Sequence, residues 1–157
     1  MNRLLKIGAV SIAFGLVASA ASAESFTFKS TSHVANSVVV DTGTPPGIAD
    51  IFNTGEATIV YDTGNKEANM SSCASWTVPP GTAFSSNGIC TFATKKGDQG
   101  TIIFGCRDDN ANRTSDCWGG LRGTAGRFTG KTGTISWHQS LDADGKTGMA
   151  TGVGMWN

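Results

Sequence analysis

Apolar and polar residues alternate along this chain in short runs, and no long window repeats its apolar positions at the 3.6-residue period of a helix. Alternating and β-branched segments predict strands over 25–32, 37–41, 55–62, 73–78, 89–95, 100–107, 119–128, 132–139 and 148–155. Turn-forming clusters lie between or beside them: Thr44-Pro45-Pro46-Gly47, Asp62-Thr63-Gly64-Asn65, Pro79-Pro80-Gly81, Asn87-Gly88, Lys96-Gly97-Asp98 and Asp144-Gly145. A helical minority is expected near 47–53, where Ile48, Ile51 and Phe52 would share a face. Eight or nine short strands with hairpin-length connections predict an all-β fold, a single antiparallel up-and-down β-barrel of about eight strands.

The first 23 residues stand apart from this pattern. Arg3 and Lys6 form a basic start, Ile7 to Val17 a short apolar stretch, and Ala21-Ser22-Ala23 a small-residue cleavage box. The apolar run is too short for a bilayer span of about 20 residues and is broken by Gly8, Ser11 and Gly15. Residues 1–23 are therefore read as a cleaved signal peptide and 24–157 as one domain. The expected location is periplasmic or extracellular, in a bacterial host, with no membrane span in the mature chain. In such a host the sequons at Asn69-Met70-Ser71 and Asn112-Arg113-Thr114 carry no meaning.

Composition agrees with a sheet protein: glycine and threonine abound in the mature part and leucine is nearly absent. The chain has 12 basic and 12 acidic residues, and loss of Arg3 and Lys6 with the leader leaves a formal charge of −2. Nucleic acid is thereby disfavoured as a partner, because it demands a concentrated basic face. Oligomeric state is not encoded in any of these patterns.

Export changes the meaning of Cys73, Cys90, Cys106 and Cys117. In an oxidising compartment they predict two disulfides, and none of their spacings is the CxxC of a zinc site. Two connectivities stand level. If Gly97-Asp98-Gln99 is a three-residue hairpin loop, Phe92 faces Phe104 and Cys90 faces Cys106, leaving Cys73 for Cys117. Sequential pairing, Cys73 with Cys90 and Cys106 with Cys117, closes shorter loops.

The most distinctive segment is the glycine-rich run 119–137. Ala125 to Thr132 fits a relaxed phosphate-loop pattern, but β-formers follow it where that loop needs a helix. Gly123-Thr124-Ala125-Gly126-Arg127-Phe128-Thr129-Gly130-Lys131-Thr132-Gly133-Thr134 resembles the G-T-G-x-F-x-G-x-x-G hairpin of allene oxide cyclase-like and dirigent-like proteins. The resemblance covers roughly a tenth of the mature chain. It implies an eight-stranded antiparallel barrel around a mostly apolar pocket, in which some members guide cyclisation or coupling of hydrophobic molecules. The four cysteines are foreign to the plant members' pattern, and no catalytic residue carries over.

Titratable groups suited to catalysis are few. By strand alternation His138 faces solvent if Ile135 and Trp137 face inward, and His33 lies at a strand end. Glu56 and Asp62 share parity and would enter the barrel together or sit at its rim. Asp142, Asp144 and Gly145 imitate the start of a calcium loop without its closing glutamate, and the 107–116 loop is acidic but carries two arginines. No metal or cofactor is expected. The aromatics are the remaining lead, and Trp76, Phe92, Phe104 and Trp137 are the expected ligand-binding residues.

The favoured reading is an exported barrel holding an apolar or aromatic small molecule without covalent chemistry. A cyclase or isomerase working by shape and water exclusion is the alternative, and a structural or interaction protein with a filled core is a third class. A filled interior counts against both pocket readings, and an inward carboxylate such as Glu56 favours the enzyme.

Overall fold

The structure, a computed structural model, describes residues 23–40 and 47–157; residues 1–22 of the expected signal peptide and residues 41–46, with Thr44-Pro45-Pro46, lie outside the described residues. Nine strand segments follow in order: β1 (Glu24–Val40), β2 (Gly47–Thr54), β3 (Ala57–Tyr61), β4 (Lys66–Thr77), β5 (Ser86–Thr94), β6 (Gln99–Asp109), β7 (Thr114–Ala125), β8 (Thr132–Leu141) and β9 (Thr147–Trp156). A single 3-10 turn, Gly126–Phe128, separates β7 from β8. All pairings are antiparallel between neighbours, and β9 returns to pair with β1 from Glu24↔Trp156 to His33↔Thr147.

The nine segments form eight lanes, because β2 and β3 lie end to end between β1 and β4. β3 pairs with the first half of β1 and the start of β4, and β2 with the second half of each. Gly55 bridges the interruption by donating its N–H to the Thr31 carbonyl at 2.8 Å. A side chain at Gly55 would meet the Thr31 hydroxyl, which would have to turn aside. The expected eight-stranded, up-and-down, disulfide-stapled barrel is what forms.

Two details correct the sequence reading. The segment expected as a helix near 47–53 is strand β2. Ile51 faces outward with Ala74 and Ile89, directly across the sheet, while Phe52 lies beside Cys73 and lines the interior. Asn87-Gly88, expected as a turn, sits within β5. There Gly88 lies opposite Phe104, whose ring occupies the space a side chain would need.

That glycine belongs to a recurring device. Inside the barrel Phe26 covers Gly154, Phe28 covers Gly152, Phe92 covers Gly100 and Phe104 covers Gly88, each pair directly cross-strand. The ring fills the volume its glycine leaves and shields the glycine backbone from water. Half of the eight phenylalanines are used this way, which explains why a glycine-rich chain still builds a core.

The hairpin between β5 and β6 decides the disulfides. Its three-residue loop is Lys95-Lys96-Gly97, with Thr94 N–H donating to the Asp98 carbonyl at 2.9 Å and Gly97 at a φ of 86°. Phe92 therefore faces Gly100, and Cys90 faces Ile102 rather than Cys106. Cys73 lies directly opposite Cys90, and Cys106 opposite Cys117. Both pairs are bonded sequentially, Cys73–Cys90 and Cys106–Cys117, and no described cysteine is free.

Candidate functional site

Two packed groups divide the barrel interior. Phe26, Ile59, Tyr61, Phe92, Phe128 and Trp156, with neighbours, form one. The two disulfides and Phe104 form the other, with Phe52, Ile102 and Trp137 against it. A cavity of about 100 Å³ is lined by members of both.

One end of the interior is plugged. The 3-10 turn swings inward so that Phe128, 2% exposed, stacks on Trp156 with ring centroids 4.6 Å apart and meets Phe92 edge-on at 5.9 Å. Gly126, at a φ of 64°, makes the left-handed bend that this needs. Arg127 then latches the plug. Its guanidinium pairs with Glu67 through Nη2 and with Asp98 Oδ2 through Nε at 3.3 Å, and its main-chain N–H donates to Asp98 Oδ1 at 2.8 Å. Nη2 also donates to the Tyr61 hydroxyl at 2.6 Å, and that hydroxyl donates to Glu67 Oε2 at 3.0 Å. Burial first, then the Glu67 charge, pushes the Tyr61 phenol pKa well above its ordinary value, with Arg127 opposing.

The other end is polar. Ser30, Ser32 and Gln139 line the cavity from the far halves of β1 and β8, and all three are half-buried. Gln139 Oε1 accepts the indole N–H of Trp137 at 3.2 Å. Asn69 and Ser71 add an amide and a hydroxyl along β4. The cavity wall is thus mostly apolar, with hydrogen-bonding groups from Ser30, Ser32 and Gln139 on one part of it and from Asn69 and Ser71 on another.

Of the residues expected to bind ligand, Phe92, Phe104 and Trp137 line this cavity, and Phe104 meets Trp137 edge-on at 5.2 Å. Trp76 does not; it is 46% exposed on the outer wall. Sequence reasoning missed Phe26, Phe28, Phe52, Tyr61, Phe128 and Trp156, which complete the aromatic lining. The strand alternation that identified Phe92 also points Phe26 and Phe28 inward, whereas Phe128 enters through a turn that has no period.

The remaining candidates lie outside the cavity. His138 is exposed and bonds Asp116 Oδ1 at 2.7 Å, as the inward Trp137 requires, and His33 lies beside Thr147 at the barrel rim. Glu56 pairs with Lys95 at 3.4 Å in solvent, and exposed Asp62 accepts the Ser25 N–H at 3.3 Å, so neither carboxylate enters the barrel. Asp144 accepts the Lys146 N–H at 2.8 Å within a hairpin turn. Asp109 accepts from the Asn112 side chain and from the Asn112 and Ala111 main chain, which lowers its pKa. Among the described residues no three His, Cys, Asp or Glu side chains gather as a metal site. Lys131 and Thr132 lead into strand β8.

On the outside, a shallow depression of about 710 Å³ crosses the wall from Trp118 to Asp62. Its sides, Trp118 and Val153, are themselves half exposed, so it encloses nothing. Compared with known protein families, curated proteins and solved structures, the chain has no match in any of the three.

Proposed function

We propose that the protein is an exported binder that holds one small apolar or aromatic group inside its barrel, without covalent chemistry. The observation that carries this reading is the cavity itself, lined mainly by aromatic rings and the Cys73 and Cys90 sulfurs with a few hydroxyl and amide groups among them. At about 100 Å³ it is smaller than the roughly 150 Å³ apolar cavity that takes up benzene, so it suits a short alkyl chain, or a single ring once its wall gives slightly. Ser30, Ser32 and the amide of Gln139, on adjoining parts of the wall, offer partners for one polar substituent.

Non-covalent binding is favoured over a cyclase or isomerase by the lining. Tyr61 is its one titratable group, since both lining cysteines, Cys73 and Cys90, are disulfide-bonded. The Tyr61 hydroxyl is committed to Glu67 and Arg127, and its raised pKa makes it a poor acid. Export is supported by the leader pattern, by the pairing of all four cysteines and by the start of β1 at Glu24, the first residue after the expected cut. Kinship with allene oxide cyclase-like and dirigent-like proteins is part of this proposal and rests on the resemblance of residues 123–134.

Thermal unfolding with and without toluene, benzyl alcohol and indole tests the binder. A probe at a hundred times its Kd adds about 2.7 kcal/mol, enough to raise Tm by several degrees. Ala150→Leu, which grows a side chain into the cavity, is expected to abolish the shift while leaving the unliganded Tm within a few degrees. If none of the three probes moves Tm, the reading fails.

A further inference from the structure

The barrel closes where β1 meets β9, but β1 outruns that seam. Its pairing with β9 ends at His33↔Thr147, and the last main-chain bond on that side is Val34 N–H to the Lys146 carbonyl at 2.8 Å. β1 then continues to Val40, paired on its other side with β2 as far as Val40↔Gly47. A register shift between Val34 and Asn36 marks the departure. From Ala35 to Val40 the side of β1 that faced β9 has no partner strand among the described residues.

Such an edge is normally protected by lysine, proline, an inward charge or a covering segment. Here the sequence is Ala-Asn-Ser-Val-Val-Val, uncharged, without proline or glycine, and rich in β-branched residues. Val38 is 52% exposed and Val39 65%. They lie on opposite faces of the arm: Val39 stands beside exposed Ile48, and Val38 beside Ala49, which neighbours exposed Trp76. Both faces therefore present apolar surface to water along the free edge of a sheet that continues through β2 into β4.

We propose that this arm pairs with the same arm of a second copy, joining two barrels edge to edge about a two-fold axis. An antiparallel edge is complementary to itself under that symmetry: each strand's outward N–H and C=O groups meet those of the other. The absence of charge removes like-charge repulsion, and valines meet across the new pair as favourable β-branched partners. Six residues a side make a small interface by the measure of roughly 1,200 Å² for stable complexes, so the dimer forms reversibly at micromolar concentration. This contact is independent of the interior cavity.

Sedimentation velocity of the purified protein from about 1 to 500 µM tests it. The expected result is a concentration-dependent shift from monomer to dimer. Val38→Lys, and separately Val39→Lys on the opposite face, are expected to keep the protein monomeric throughout with unchanged far-UV circular dichroism, while Val38→Thr retains the dimer. A wild-type monomer at the highest concentration overturns the proposal. So does a dimer that a folded Val38→Lys or Val39→Lys variant leaves intact, or growth into open-ended oligomers, because each requires another surface.

Discussion

Tyr61 is the only tyrosine in the chain and is 3% exposed. Its phenol pKa is raised in the fold above the ordinary value of 10.0, chiefly by burial and then by the Glu67 charge. The unfolded chain therefore loses this proton first as pH climbs. The stability that the neutral phenol contributes is complete below pH ~10 and declines as pH rises beyond it toward the folded value. With one tyrosine, the tyrosinate absorbance reports this group alone. It is expected to appear only together with loss of β-sheet circular dichroism, and Tyr61→Phe should remove this group's share of the alkaline decline. Reversible ionisation near pH 10 in folded protein would contradict the buried, doubly bonded placement.

Segments differ in how openly the sequence declares them. β5 alternates without a break, Cys90, Phe92 and Thr94 inward against Ile89, Thr91 and Ala93 outward, so its inward residues were legible from period alone. β2 was not, because Ile48 and Ile51 are exposed and its apolar residues do not mark one buried face. Trp76 was legible in principle: it stands three residues from inward Cys73 and so faces the opposite way. Cys106 was placed opposite Cys90 by putting the β5–β6 loop two residues too late, which shifts the cross-strand partner by four. Least visible was the latch on the 3-10 turn, since Tyr61, Glu67, Asp98 and Arg127 meet only once the barrel has closed. Its worth is open to measurement. Arg127→Met strands Glu67, whose Oε1 is buried without a partner and whose side chain is 9% exposed. Loss of one partner of a fully buried pair costs about 3–5 kcal/mol, and the Arg127 side chain's partial exposure reduces this to about 2 kcal/mol in a denaturant titration. Glu67→Gln added to Arg127→Met should restore part of the loss by removing the stranded charge. Arg127→Lys should not restore it fully, because a single ammonium cannot serve Glu67 and Asp98 in the guanidinium's geometry. A change below about 0.5 kcal/mol in Arg127→Met would mean the plug is held by Phe128 packing alone.

A barrel of eight lanes leaves few edges to protect, but it must hold a chain rich in glycine, whose unfolded state has high conformational entropy. The disulfides act on that unfolded state. They clamp β4 to β5 and β6 to β7 across sequence separations of 17 and 11, so one half of the ring is covalently tied. The half made of β8, β9, β1 and the β2–β3 lane relies on hydrogen bonds and on rings seated over glycines. By loop-closure entropy each bridge contributes about 3 kcal/mol, so the two together contribute about 6 kcal/mol. A domain's whole stability is about 5–15 kcal/mol, which makes the reduced protein marginal. The four cysteines are buried in the interior, so reductant reaches them only when the barrel opens. Reduction of the native protein is therefore expected to be slow in buffer and rapid in denaturant. Once reduced, and likewise in a variant with all four cysteines replaced by alanine, the protein should lose roughly 20 °C in Tm or fail to show a cooperative transition. A fall of less than about 5 °C would show that hydrogen bonds and ring-over-glycine packing close the ring unaided. It would also weaken the disulfides as support for the proposed export.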